Sequence, residues 1–355
     1  MKKRKILLIV FIILSIGLLM VYSSSHIWAQ YKENDSFYYF KRQAIFVIVG
    51  LLLLFFFSKI DYHLYQSLKI IILATILLVL VLIPGVGIVR GGSRSWFNLG
   101  LFALQPSEIY KIALIIYVSD YISHHYHQMK KLRYCLKPLI VMGIGFFLIM
   151  LQPDFGSGFV MCCSILLMII ITPFPFRYIV FLGLSGILMI ILMIISAPYR
   201  MKRIFAFLDP FQDPLGSGFQ MIQSLYAIGP GGILGSGFDQ SIQKHFYLPE
   251  PQTDFIFAIY LEEFGFIGGI LLILLYAYLF ITCFNYAKKV DDLFGSFLMI
   301  GMTSMIGIQT IINLGVVVGL FPVTGVTLPL MSYGGTSLLV TLIEIGIMYN
   351  IIKSI

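Results

Sequence analysis

The sequence predicts an all-α polytopic membrane protein with ten transmembrane helices. Hydrophobic residues make up 59% of the 355 residues and charged residues only 11%, whereas soluble domains carry about 25% charged residues. Ten apolar segments approach or reach the roughly 20 residues that a bilayer-spanning helix needs. We predict these helices at 6–28, 44–58, 67–84, 107–123, 137–151, 158–173, 177–197, 255–283, 294–319 and 335–352.

The positions of the basic residues predict the orientation, because Lys and Arg are enriched in the cytoplasmic loops of membrane proteins. With both termini inside, the inner side holds 14 of these residues and the outer side 5 when the loop 198–254 is left out. We therefore predict cytoplasmic termini and a large outer loop at 198–254, between the seventh and eighth helices. The apolar run 6–21 follows four basic residues, and we interpret it as an uncleaved first helix because further spans follow.

Several classes of function are disfavoured. The net charge of +8 fits basic cytoplasmic loops, so it does not indicate a nucleic-acid partner. The four cysteines have neither a disulfide pattern nor zinc-type spacing. The glycine-rich run 229–237 lacks the G-K-[ST] ending of a phosphate-binding loop and lies on the predicted outer face, where ATP is absent.

The stretch 247–269 carries four carboxylates where a polar loop enters an apolar helix: Glu250, Asp254, Glu262 and Glu263. Ionisable groups at a membrane boundary indicate a functional site. In a helix that begins near Asp254, Glu262 lies about 12 Å further along and on a neighbouring face, whereas Glu263 points the opposite way. Asp254 and Glu262 are thus expected to line one groove. The alternative is that Asp254, or Thr253, only caps the helix.

A second polar group lies in QPSEIYK (105–111). Pro106 suits a helix start, and Glu108 and Lys111 are spaced i, i+3 on one face. This pair is either a neutralised structural pair or the charged wall of a cavity that binds a phosphate or positions an acid.

Basic and irregular segments also collect on the predicted outer face. Arginines in this position run against the usual trend and suit an anionic ligand, because guanidinium groups bind phosphate bidentately. The prolines and glycines between 322 and 335 indicate re-entrant backbone, which must be buried in protein or line a wet cavity. The outer basic residues are Arg90, Arg94, Arg200, Lys202 and Arg203, with Trp96 beside Arg94.

Seven segments in order closely resemble the SEDS family (shape, elongation, division and sporulation proteins, which include FtsW, RodA and SpoVE). The resemblance covers nearly the whole chain, as a single domain 1–355, and is strongest to the FtsW/SpoVE branch. The segments are VYSSSHIWA (21–29), GSRSWFNLG (92–100), QPSEIYKIAL (105–114), QPDFGSG (152–158), DPLGSGFQMIQSLYAIGPGG (213–232), YLPEPQTDFIFA (247–258) and GLFPVTGVTLPLMSYGGTS (319–337).

The resemblance implies a peptidoglycan glycosyltransferase of the cytoplasmic membrane with an outward-facing site. Its substrate would be lipid II, its product glycan strands for a division septum or a spore cortex, and its partners a class B penicillin-binding transpeptidase and divisome or sporulation proteins. It also implies that Asp254 is the essential acid and that Glu108, Lys111 and Glu262 support it. Substrate-binding residues by this match are Arg90, Arg94, Trp96, Arg200, Arg203 and Ser332.

Two questions stay open on the sequence alone. A divalent cation, Mg²⁺ or Mn²⁺, is a candidate cofactor for the pyrophosphate, although no ligand cluster is evident. A lipid II flippase is the alternative function, and a scaffold for other cell-wall enzymes is a third. The clustering of polar residues on one face favours the polymerase, because a flippase needs charged groups through the membrane interior.

Overall fold

A computed structural model describes residues 2–90, 93–98, 100, 103–195 and 198–355. It is a bundle of α-helices with one small sheet. The α-helices are α1 (Lys2–Glu33), α2 (Tyr38–Phe57), α3 (His63–Val86), α4 (Pro106–His125), α5 (Leu132–Met150), α6 (Phe155–Ile170), α7 (Phe176–Ile195), α8 (Pro198–Leu208), α9 (Phe219–Gly231), α10 (Ile256–Ala287), α11 (Leu293–Val317) and α12 (Gly335–Ser354).

The all-α membrane fold is confirmed, and each of the ten predicted segments coincides with a helix. Eight of the described helices are long and apolar enough to cross a membrane. The other two predicted spans are α6, which has 16 residues, and α4, which carries charged residues along its length. The count of ten spans and the cytoplasmic position of both termini stay predictions.

The predicted outer loop 198–254 contains more secondary structure than we expected. It includes α8, and it includes α9, which packs against α10. A three-stranded antiparallel sheet, also not predicted, lies between α3 and α4. Its strands are β1 (Ile88–Arg90), β2 (Ser93–Asn98) and β3 (Ala103–Leu104), in the order β1-β2-β3.

Helix α10 is broken at Gly265, whose φ of 63° is a conformation that favours glycine. The break frees backbone groups that the glycine-rich segment then satisfies. The Phe266 amide donates to the Gly232 carbonyl at 2.9 Å, and the Ser236 amide donates to the Glu262 carbonyl at 2.9 Å. The glycine run therefore supplies backbone hydrogen-bond partners to α10 around its break, and the prediction that it is not a nucleotide loop stays a prediction.

The segment 320–334 has no regular secondary structure and descends into the bundle. Leu330 and Met331 are buried, and they pass so close to α1 that a side chain at Gly17 would begin 2.7 Å from the Leu330 carbonyl oxygen. The Tyr276 hydroxyl, in the middle of α10, donates to the Pro329 carbonyl at 2.5 Å. The predicted re-entrant backbone is thus present, and protein encloses it as the membrane interior requires.

Candidate active site at one end of the bundle

Asp254 lies in the turn just before α10. Hydrogen bonds to three backbone carbonyls of this turn fix it to the rest of the bundle. The Ser332 hydroxyl donates to the Thr253 carbonyl at 2.6 Å, and the Tyr333 amide donates to the Gln252 carbonyl at 2.8 Å. The Asn313 side-chain amide donates to the carbonyl of Asp254 itself at 2.8 Å. The backbone of the acid is therefore held by α11 and the re-entrant segment.

The carboxylate of Asp254 does not cap the helix. The N-cap residue of α10 is Phe255, no side chain bonds to the first helical amides, and the Thr253 hydroxyl donates to the Glu250 carbonyl instead. Within the described residues no hydrogen bond reaches the Asp254 carboxylate, which is only half-buried. The capping alternative is thus unsupported, and the acid is available to a ligand.

Protein atoms around Asp254 change its acidity. The pKa of Asp254 is raised to about 6: burial raises it most, the nearby Glu250 carboxylate also raises it, and the Arg203 guanidinium lowers it. A carboxylate with a pKa near neutrality is suited to accept a proton from an alcohol. Gly325 lies against it, since a side chain there would begin 3.7 Å from Asp254 Oδ2.

If Asp254 is a general base, activity should rise with pH through about 6, because only the deprotonated form accepts a proton. Glu250→Gln removes the negative charge that raises this pKa, so the acid limb of the pH–rate profile should move to lower pH. Asp35→Asn is the matched control, because Asp35 lies in a predicted outer loop and, among the described residues, its carboxylate bonds to Lys41 and the Phe37 amide alone. Superimposable profiles for wild type and Glu250→Gln would contradict the assignment.

A buried ion pair lies deeper in the bundle. Lys111 Nζ is 2.7 Å from Glu108 Oε1, and both side chains are less than a tenth exposed. Lys111 also donates to Gln309 Oε1 at 3.3 Å. Glu344 of α12 is buried close enough to interact electrostatically with both members of the pair.

Helix α11 connects this buried pair to Asp254. Gln309 and Asn313 are one helical turn apart, about 6 Å along the axis. Gln309 contacts Lys111 and donates to the Thr327 carbonyl at 3.2 Å, while Asn313 donates to the Asp254 and Val326 carbonyls. The two amides thus hold consecutive carbonyls of the re-entrant segment between the ion pair and Asp254.

The starts of α4, α6 and α12 close the same end of the bundle. Gln105 Nε2 donates to Asp154 Oδ2 at 2.8 Å, and Asp154 Oδ1 accepts the Ser157 amide at the start of α6. Thr336 joins the start of α12 to β3, because its hydroxyl donates to the Ala103 carbonyl at 2.8 Å. Three of the segments that carry the family resemblance, 105–114, 152–158 and 319–337, therefore contribute to this end of the bundle.

A cavity of about 310 Å³ with two cations in its lining lies between α8 and α9, and one of these cations, Arg203, is close enough to Asp254 to lower the pKa of that acid. Lys202 and Arg203 line it from α8, Gln220 lines it from α9, and Val323 lines it from the re-entrant segment. The Arg203 guanidinium donates to the Val323 carbonyl at 3.1 Å. Two cations in a concave site next to a carboxylate fit a phosphorylated ligand whose reacting end meets the acid.

The other predicted ligand-binding residues occupy different surroundings. Arg94 and Trp96 lie on β2, where the exposed Arg94 side chain donates to the Pro84 carbonyl at 3.1 Å. The Arg200 guanidinium donates to the Met193 carbonyl at 2.9 Å, at the end of α7. The backbone of Arg90 pairs with Ser93, and its side chain lies outside the described residues. Substrate contact by these residues stays a prediction.

Ser332 fixes the turn before Asp254. Its side chain is buried, and its hydroxyl donates to the Thr253 carbonyl while it accepts the Leu328 amide at 2.9 Å. Substrate binding by Ser332 stays a prediction.

Glu262 does not line a groove with Asp254, so that prediction is wrong. Its buried carboxylate accepts the Ser241 hydroxyl at 2.5 Å and the Ile242 amide at 2.7 Å. The outer segment folds back over this face of α10, and the sequence pattern gave no sign of that contact. Glu263 likewise faces α1 and the outer segment, where it accepts Ser23 at 2.5 Å and Lys244 at 3.3 Å. Both acids secure the segment that precedes the Asp254 turn.

Three polar residues near the site were missed by sequence reasoning: Gln309, Asn313 and Glu344. Each lies in a predominantly apolar helix, where a strongly polar side chain is itself a signal of function. Their positions could be read from the sequence. Their contacts could not, because their partners lie in distant parts of the chain.

Among the described residues, no group of three or more His, Cys, Asp or Glu side chains could hold a metal ion. Glu108 and Asp254, the two carboxylates considered as ligands, have different surroundings: Glu108 pairs with Lys111, and Asp254 faces Gly325. The described residues thus include no such ligand group, and the divalent cation stays a candidate.

The fold and site define a class: a multi-pass membrane protein with a half-buried acid, a cationic cavity and a buried ion pair grouped towards one end of a helical bundle. Within this class, the chain belongs to the FtsW/RodA/SpoVE family of cell cycle proteins, whose sequence model matches residues 3–355. This membership confirms the resemblance drawn from the seven segments.

Relatives match over nearly the full chain. Stage V sporulation protein E of Bacillus subtilis is 48% identical over 349 residues, which cover 98% of this chain and 95% of that protein. A probable peptidoglycan glycosyltransferase FtsW of Trichlorobacter lovleyi is 40% identical over 350 residues, which cover 98% of this chain and 92% of that protein.

Solved structures share the fold. A chain from work on the coordination of polymerization and crosslinking by a peptidoglycan synthase complex superposes with a TM-score of 0.82 at 29% identity, over 99% of this chain and 97% of that one. The rod shape determining protein RodA of Thermus thermophilus superposes with a TM-score of 0.73 at 26% identity, over 99% and 96%.

Proposed function

We propose that this protein is a peptidoglycan glycosyltransferase that polymerises lipid II on the outer face of the cytoplasmic membrane. The observation that carries the proposal is a half-buried acid with a pKa raised to about 6 beside a cavity lined by two cations. An acid that accepts a proton and cations that receive a diphosphate are the two groups that such a transfer needs. The names of the FtsW relatives support the same reaction.

In the proposed reaction, Asp254 removes the proton from the 4-hydroxyl of the GlcNAc of lipid II. That oxygen attacks C1 of the terminal MurNAc of the growing strand, and a glycosidic bond forms as the bond from C1 to the pyrophosphate breaks. The configuration at C1 is inverted, and undecaprenyl pyrophosphate leaves with the bonding electrons. The glycosyl pyrophosphate supplies the driving force, so no nucleotide takes part.

Arg203 and Lys202 are placed to meet the charge of the pyrophosphate, because they line the cavity next to Asp254. The buried Glu108–Lys111 pair would orient the floor of the site through Gln309 and the re-entrant segment. A divalent cation brought in by the pyrophosphate would need only one or two carboxylates from the protein. Adding EDTA to the polymerisation assay tests that requirement.

Arg203→Gln should raise KM for lipid II about tenfold, the equivalent of roughly 1.4 kcal/mol of lost binding energy. The assay belongs at about pH 8, where Asp254 is deprotonated with or without the influence of Arg203. Lys41→Gln is the control, because Lys41 is an exposed cation that pairs with Asp35 and does not line the cavity. An unchanged KM for Arg203→Gln would remove the cavity from the substrate site.

We further propose that a class B penicillin-binding transpeptidase is the partner, within a division or sporulation assembly. The support is the similarity to a chain from a peptidoglycan synthase complex and to a sporulation protein. Copurification of this chain with each such transpeptidase from its own cell would identify the partner.

The alternative, a lipid II flippase, is favoured by one observation: Lys111 is a buried cation within a helix. Labelled lipid II in liposomes separates the two functions. The polymerase produces glycan in an Asp254-dependent way, whereas a flippase moves intact lipid II between leaflets in a way that depends on Lys111 and not on Asp254.

The third function, a scaffold for other cell-wall enzymes, predicts that cells with Asp254→Asn still form a septum or a cortex.

A further inference from the structure

Asn313 makes the most direct contact between the bundle and the turn that carries Asp254. Its side chain is 1% exposed, near the outer end of α11. Its single amide nitrogen donates to two carbonyls, those of Asp254 and Val326, each at 2.8 Å. An amide nitrogen carries two hydrogens, so both are used.

The two carbonyls belong to the two segments that enclose the acid. One is in the turn before α10, and the other is next to Gly325, which lies against Asp254 Oδ2. A shift of either segment would change the distance between the Asp254 carboxylate and a ligand bound between the two segments. The amide of Asn313 therefore fixes the separation of two walls of one site.

The oxygen of the same amide indicates that Asn313 is not there for stability alone. Oδ1 is buried and, among the described residues, has no hydrogen-bond partner. A buried acceptor without a partner destabilises the fold, and an apolar residue of similar volume would avoid that cost. The benefit of the asparagine lies in its two donated bonds.

We propose that Asn313 is a positioning residue for the glycosyl transfer, which holds the Asp254 carboxylate at its reacting distance and shields it from water. This inference rests on the proposed function, because it assigns Asn313 a role through the base. The charged groups that act on the carboxylate from neighbouring segments are Glu250 and Arg203. Among the described residues, Asn313 forms hydrogen bonds with neither of these groups, so its effect is on geometry and solvent access.

The test compares Asn313→Leu with Asn313→Gln in purified full-length protein, using lipid II as substrate. Leucine has the same number of side-chain heavy atoms and the same branching as asparagine but no donor; glutamine keeps the amide but is longer. If Asn313 braces the turn, Asn313→Gln should retain more activity than Asn313→Leu. Asn313→Leu should lower kcat roughly tenfold to a hundredfold with little change in KM, because small misplacements of a reacting group have effects of that size.

The pH–rate profile supplies a readout that a packing defect would not move. Water entering a loosened turn should lower the pKa of Asp254 from about 6, so the acid limb of Asn313→Leu should shift to lower pH. Thr310→Val is the control, because Thr310 is buried one turn away and its hydroxyl bonds only to its own helix, at the Ile306 carbonyl. It should leave kcat and the profile unchanged.

The outcomes separate this inference from the proposed function. Equal or better activity of Asn313→Leu than of Asn313→Gln, or an unmoved acid limb, would overturn the positioning role while Asp254→Asn remained inactive. Full activity of Asp254→Asn would instead overturn the function on which the inference rests. Gel filtration and thermal unfolding of each variant identify any loss of activity that comes from misfolding.

Discussion

Asp254→Asn should reduce the rate of glycan synthesis by about 10²- to 10⁴-fold, the range that a general base contributes. Asparagine has the same shape as aspartate and cannot accept the hydroxyl proton. The bonds that hold this turn use backbone carbonyls, so they survive the substitution. We expect the variant to fold and to bind lipid II with a KM close to that of the wild type.

The measurement is the initial rate of polymerisation by purified protein, with Asp35→Asn as a control for the loss of an outer carboxylate. A second readout is thermal unfolding, in which Asp254→Asn should be at least as stable as the wild type because a charge is removed from a partly desolvated site. A rate within about threefold of the wild type would fall below the range of any general base and would reject Asp254 as the base.

Lys111→Met should have the largest effect on stability. Breaking a buried ion pair leaves an uncompensated charge and costs about 3–5 kcal/mol. Glu108 loses its partner at 2.7 Å, and Glu344 adds a second buried acid to the same space. We expect a lower yield of folded protein, a lower Tm and a lack of glycan synthesis.

The double variant Glu108→Gln with Lys111→Met separates folding from function. It removes both charges of the pair, so it should regain much of the stability that Lys111→Met loses. If the pair also orients the site, the activity of the double variant should stay low although its stability is restored. Recovery of both stability and activity would show that the pair is purely structural, the other alternative that its spacing left open.

The helices were predictable because apolar length is a local property of the chain. A run such as 294–319 predicts α11 (Leu293–Val317) without reference to any neighbour. Asp254 was also recognisable, because an acid at the end of such a run is costly and indicates function. Family similarity then separated it from the three nearby carboxylates.

The contacts of Glu262 show where this reasoning stopped. Helical geometry placed it near the face of Asp254, but the outer segment covers it and binds its carboxylate through Ser241 and Ile242. Such contacts join residues about twenty positions apart through an irregular loop, whose path no periodicity encodes. The pairing of Asn313 with Asp254 was likewise out of reach, since it joins α11 to the turn before α10 across 59 positions of the chain.

Lipid II consumption by the purified protein, in detergent without nucleotide, tests the central claim most directly. The products are quantified as glycan and as undecaprenyl pyrophosphate, in parallel for the wild type and Asp254→Asn and in the presence of the candidate transpeptidase. The account predicts glycan with one undecaprenyl pyrophosphate released for each new glycosidic bond in the wild type, and intact lipid II in the variant. Intact lipid II in both, or equal glycan in both, would contradict it.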